Sequence, residues 1–156
     1  MTRVTLTKIV NGEPVEMSEA EEQEFLASQR DPVGRRGQLR AALERSWQAR
    51  LEQGLSYQNK RFSLDESSQR RITSAYSLAQ DAKVGGGTWP NGFAWRSNDN
   101  SYLSLPTPDD AISFARAMAG EATRLQFALF QRKDTLAAMP DGALDGFDPN
   151  ASWDQP

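Results

Sequence analysis

The stretch from Gly54 to Asp110 does most to limit what this chain can fold into. It sets one helical segment between two short alternating segments and ends on Thr107-Pro108-Asp109-Asp110. That ending is a helix start. A Thr cap, Pro at the first helical position and Asp at the next two satisfy first-turn amides and suit the helix dipole. Short strands, a helix, more strands and a long helix predict an α+β fold, with small antiparallel β-hairpins packed on long helices.

Within that stretch, Leu55, Tyr57 and Phe62 alternate as one strand, or as two short ones around Asn59-Lys60. Ser63-Leu64-Asp65-Glu66 reads as a capping box for a helix over about 66–82, with Ile72, Ala75, Tyr76 and Ala79 on one face. Gly85-Gly86-Gly87 is a connector: it follows a helix and lacks the Lys-Ser/Thr that grips phosphate. Phe93 and Trp95, then Tyr102, Leu103 and Leu105, flank Ser97-Asn98-Asp99-Asn100 as a hairpin. An ion pair from Asp99 to Arg70 or Arg71 is expected to brace that turn. The three consecutive oxygen-bearing residues Asn98, Asp99 and Asn100 also admit a cation, but without calcium-loop spacing or its terminal Glu.

Outside it, Val4, Leu6 and Ile9 with the Asn11-Gly12 turn predict an N-terminal hairpin, roughly 3–10 with 13–17, that must pack on something. Ser18 and Glu21 form a capping box for a short acidic helix over about 19–30, ended by Asp31-Pro32. Leu39, Leu43, Trp47 and Leu51 recur every four residues over 35–53 and make one apolar stripe. That stripe packs either on the chain's own helices or on another subunit. The last helix, from Pro108 to about Ala138, carries Ala111, Ala115, Met118, Ala122, Leu125, Leu129 and Leu136 as a stripe interrupted by Arg132. Ile112, Phe114, Phe127 and Phe130 lie off it, so more than one face needs cover, from a partner or another copy. The organisation expected is a hairpin (1–17), a helical segment (18–53), an α+β domain (54–139) and an acidic tail (140–156).

The tail holds Asp141, Asp145, Asp148 and Asp154 with no Lys or Arg; with a net charge of −3 overall, the rest is close to neutral at +1. It lacks helical period, so it is expected to be disordered alone, with Phe147 and Trp153 as apolar beads that dock on binding or merely ride on a solubilising tail. A near-neutral body argues against nucleic-acid binding, which needs a concentrated basic face. No apolar run approaches a membrane span or an export signal, so neither a membrane nor secretion is expected.

The chain has no Cys and no His. Disulfides, thiolate zinc sites and Ser-His-Asp or Cys-His catalysis are therefore outside its chemistry. Carboxylates that could serve glycoside hydrolysis all have structural readings: Glu66, Asp109 and Asp110 start helices, and Asp65 and Asp99 make turns. No enzymatic activity, cofactor or metal is expected.

The succession F-S-L-D-x-x-S-Q-R-R-I-T-x-A, then W-R-S-N-D-N-S-Y-L-S-L, then a helix opening T-P-D-D, resembles an uncharacterised domain family of phage and prophage tail gene clusters. Its carriers here are Phe62, Asp65, Ser68, Arg70, Arg71, Ile72, Ala75, Trp95, Asp99, Asn100, Leu103 and Leu105, within about 54–138. Members of that family are often associated with tail-fibre assembly. The resemblance implies no catalytic residues. It implies a tail accessory protein that binds a tail fibre, a receptor-binding protein or another tail protein, as a departing chaperone or a bound component. The alternative is a permanent connector or decoration subunit. Its place would be the host cytoplasm during assembly, or the virion tail. The interface residues expected are Leu43 and Trp47, Leu125, Phe127 and Phe130, and Phe147 and Trp153 from the tail, and a homo-oligomer is compatible with them.

Overall fold

The computed structural model describes residues 6–10 and 13–154. The chain is α+β, as its sequence predicts: helices β-hairpins and long helices alternate in the order β1 (Thr7–Val10), β2 (Glu13–Glu16), α1 (Glu19–Arg30), α2 (Pro32–Gln53), β3 (Leu55–Tyr57), β4 (Lys60–Phe62), α3 (Glu66–Lys83), β5 (Ala94–Arg96), β6 (Tyr102–Ser104) and α4 (Pro108–Ala138). A 3-10 helix follows at Asp141–Gly146. The strands form three separate two-stranded antiparallel sheets, β1-β2, β3-β4 and β5-β6.

The N-terminal hairpin pairs Thr7 with Glu16 through Val10 with Glu13. Its Asn11-Gly12 turn and Val4 lie outside the described residues. The hairpin rests on α1 through polar contacts: the Leu6 amide donates to Glu22 at 2.9 Å, and Lys8 pairs with Glu21. Ile9, Val10 and Val15 stay exposed. Helix α1 starts as its capping box predicts, with the Ser18 amide donating to Glu21 and the Glu21 amide to Ser18 Oγ.

The second helix ends where Gly54 turns the chain into β3 at φ +70°. A methyl there would lie 1.7 Å from the Phe62 carbonyl oxygen, so this turn has no room for a side chain. Between β3 and β4, Gln58 and Asn59 both take positive φ, as a two-residue hairpin turn requires.

The cap of α3 differs from the reading of Ser63 as its first residue. Asp65 is the N-cap; its Oδ1 accepts the Ser68 amide at 2.7 Å, and Ser63 Oγ donates to its other oxygen. A carboxylate adjacent to the helix reaches the free amides more directly than a hydroxyl two residues back. The Ser68 amide, followed by the Ser63 hydroxyl, holds the Asp65 carboxyl down at about 2, against an ordinary 3.8. A depressed folded-state value stabilises the fold fully above pH 3.8, and that contribution is lost as pH falls towards about 2. Asp65→Asn keeps an amide-accepting cap but removes the titration. Its urea midpoint should fall less than the wild type's across that window; equal slopes would count against the assignment.

The β5-β6 turn is also braced differently from expectation. Asp99 pairs with neither Arg70 nor Arg71. Its Oδ1 accepts Ser97 Oγ at 2.5 Å, Ser101 Oγ at 2.7 Å and the Ser101 amide at 2.9 Å, so local serines saturate it. These hydrogen bonds, that from Ser97 foremost, hold its carboxyl well below the usual range. Arg70 instead faces Glu66 one turn earlier at 3.6 Å.

Helix α4 opens with the predicted Thr107 cap, which Asp110 completes as a capping box. At 31 residues it is about 46 Å long. Around its first turns both the stripe and the off-stripe Ile112 and Phe114 are buried, because α3 packs on one side and the hairpins on another. Phe114 meets Tyr57, Phe62 and Trp95 with ring centroids 4.9–5.6 Å apart. Leu43 and Leu51 of α2 join this same core with Leu64, Ile72 and Leu125.

The segment after Pro140 is packed, contrary to the disorder its composition predicts. Leu144 joins Leu39 and Leu136, and Trp153 is 6% exposed, its indole donating to Ser46 Oγ at 3.0 Å. Arginines of α2 and α4 hold its length. Arg36 reaches Asp141 and the Leu136 and Met139 carbonyls, Arg35 reaches Asp145, Arg50 reaches Asp154, and Arg124 donates to the Trp153 carbonyl at 2.7 Å. Arg132, which interrupts the α4 stripe, lies 4.3 Å over the Trp153 ring. The residue that breaks the apolar pattern is the one that seats the tail.

Candidate interaction groove

Helices α2, α3 and α4 converge on a groove of about 740 Å³. Helix α2 contributes Trp47, α3 contributes Gln69 and Ile72, and α4 contributes Met118, Ala122 and Phe127. Trp47 and Phe127 enter this lining from different helices. Trp47 is half-buried against the core, and its indole N–H has no acceptor among the described residues. A buried donor of this kind costs about 1–3 kcal/mol.

The apolar surface continues past the groove. Phe127 is 63% exposed and Phe130 49%, with rings edge-to-face at 89° and centroids 6.5 Å apart. Two adjacent exposed phenylalanines beside a concavity are unlike the scattered apolar side chains of an ordinary surface.

The structure divides the seven residues that sequence reasoning placed at an interface. It brings Trp47 and Phe127 together in the groove and leaves Phe130 outside the lining, against Phe127. It removes Leu43 and Leu125 to the interior, each at 0% exposure, and buries Trp153 against α2 and α4. Phe147 is half-buried between the tail and the core. Sequence reasoning missed Gln69 and Ile72 as lining. Ile72 belongs to the α3 stripe, which marks it as core-facing and not as lining.

Among the described residues, no three carboxylates converge to hold a metal ion. Three carboxyls held well below their ordinary range have local structural partners: Asp65 and Asp99 are engaged by their own turns, and Glu21 by Lys8 and Ser18. Arg124 draws the Glu121 carboxyl below its ordinary value, beside Arg50 at 3.0 Å, as part of the tail anchorage. No helix among the described residues is long and apolar enough to cross a membrane.

A family model described as Domain of unknown function (DUF4376) matches residues 34–151. The chain belongs to that family. The DUF4376 match takes in all but the first two residues of α2, the groove and most of the tail, and leaves out the β1-β2 hairpin and α1. The groove thus falls within the DUF4376 match, and the tail anchors Trp153 and Asp154 lie just beyond it. No curated protein and no solved structure matches the chain.

Proposed function

We propose that this DUF4376 protein is an interaction module: a phage tail accessory protein that seats a segment of a tail fibre, or of another tail protein, on the Trp47–Phe127 groove. The exposed Phe127–Phe130 pair carries the reading, since it is the apolar surface of α4 that neither the core nor the tail covers. The order of motifs across 54–138, which resembles the tail-cluster family, supplies the context. Aromatic anchors at the edge of a concave, partly apolar site are the side chains that dominate binding energy in protein interfaces.

The double variant Phe127→Asp/Phe130→Asp tests it. Both side chains are exposed, so the melting temperature should stay near that of the wild type. Affinity for the tail-fibre protein encoded by the same phage should fall by about 100-fold or more, as expected for two anchor residues. Unchanged co-purification with a normal melting curve would refute the groove as the binding site. Proteomics of purified virions separates the two modes: stoichiometric presence marks a tail component, and absence from particles with abundance in infected cells marks a departing chaperone.

A further inference from the structure

A second groove, of about 770 Å³, lies on the other side of α3, between that helix and β5. Its charge and its backbone both point to a ligand. Arg70 and Arg71 come from α3 and Arg96 from β5. Arg70 is engaged by Glu66, but among the described residues Arg71 reaches only the Ser68 hydroxyl, at 3.1 Å. Among the described residues, the Arg96 guanidinium has no ion-pair partner. The carboxylate in the lining, Asp65, already accepts from Ser63, Ser67 and Ser68.

The backbone of β5 adds direction. The Leu105 amide donates to the Phe93 carbonyl, and the Ser97 amide to the Ser101 carbonyl. Antiparallel pairing alternates, so the N–H and C=O of Ala94 and Arg96 point away from β6. Among the described residues no other strand pairs with β5. The next amide on that edge, Asn98, donates to the Arg61 carbonyl of β4 at 2.8 Å, so the open stretch is that of Ala94 and Arg96. A short open edge beside Arg71 and Arg96 is suited to strand addition by an extended, negatively charged chain.

We propose that this groove binds an extended acidic peptide segment of a partner protein, which adds a strand to the free edge of β5 and places its carboxylates on Arg71 and Arg96. The period of two along a strand fixes the pattern: acidic residues alternate with apolar ones. Charge complementarity selects the ligand's sign, and the backbone edge selects a peptide over a small anion. A polynucleotide is disfavoured, because three arginines beside Asp65 and Glu66 are too short a basic face for phosphate tracking. The chain's own acidic tail is not the occupant, since Asp141, Asp145 and Asp154 are held on α2.

The test uses the full chain and a fluorescein-labelled heptapeptide alternating Asp and Val, followed by anisotropy at low salt. Saturable binding is expected, and Arg71→Glu/Arg96→Glu should weaken it by about tenfold or more without shifting the melting curve. Arg96→Ala, a single exposed change, should give a smaller loss in the same direction. N-methylation of alternate peptide amides keeps the charges and should also weaken binding. Four results would overturn the proposal: no saturable binding, equal affinity for the double variant, equal affinity for a Lys-Val heptapeptide, or tighter binding of an oligothymidylate. Unchanged affinity of the N-methylated peptide would overturn the strand pairing.

Discussion

Leu125→Asp is expected to leave the chain unfolded, not merely unable to bind. Read from sequence, Leu125 belonged to an apolar helix face that a partner covers, and an aspartate there should only break an interface. In the structure its side chain is fully buried in the core that Leu43, Met118 and Trp153 share. Truncating such a leucine to Ala costs about 2–5 kcal/mol. Aspartate adds a carboxylate with no partner in an apolar site, and the sum reaches the whole stability of many domains, about 5–15 kcal/mol. Circular dichroism would show loss of the helical signal, or a cooperative transition displaced far below the wild type's. A Leu125→Asp protein with a native melting curve would mean that α4 turns a different face to the core. Its comparison is Phe127→Asp, two residues along the same helix, where folding should be spared.

Gly54→Ala should be the most damaging single methyl in the chain. The left-handed backbone at Gly54 costs a non-glycine residue about 1 kcal/mol or more. The new Cβ would also fall 1.7 Å from a backbone oxygen of β4, which no rotamer change relieves. Overpacking of this kind adds about 1–3 kcal/mol, and here the obstacle is the hairpin itself. Because Leu64 donates its amide to the Leu51 carbonyl at 2.7 Å, moving β4 also loosens the end of α2. A fall in urea stability of about 2–4 kcal/mol is the expected result. Gly120→Ala provides the contrast: it lies within α4 with nothing near its Cβ position, so it should be neutral or stabilising. Equal effects of the two substitutions would sink the steric account.

The helices were legible where their signals are local. Thr107-Pro108-Asp109-Asp110 and Ser18–Glu21 specify helix starts by chemistry confined to four residues, and both cap as read. Gly54 was recognisable as a helix stop, but the Phe62 carbonyl that makes it irreplaceable was not, since it arrives from the next hairpin. The tail failed for the same reason on a larger scale. Pro, Gly and Asp in alternation describe a segment that cannot order itself, and nothing within 140–156 reveals arginines about a hundred positions away. Arg132 looked like a flaw in a stripe because its partner, Trp153, lies outside the helix. The bracing of Asp99 is not legible from charge alone, because nearby hydroxyls outcompete arginines that must cross a groove. The groove was half legible. The helical pattern marks Trp47 and Phe127 as apolar residues needing cover, but periodicity does not say which faces of a helix another element will reach first.

The strap of aspartates and Trp153 across the arginines of α2 and α4 also orders events in time. A chain emerges from the ribosome N-terminus first, and 105 positions separate Arg36 from Asp141. At about 5–20 residues per second, α2 waits roughly 5–20 s for the segment that covers it. During that interval Leu39 has no Leu136 or Leu144 to meet, and Trp153 cannot yet close over Ser46. The newborn protein therefore passes through a stage in which its longest-waiting helix is open to whatever apolar surface is nearby. Substitutions that slow the docking of the last few turns lengthen that exposure, and their cost will appear in yield from cells before it appears in the melting curve of the finished molecule.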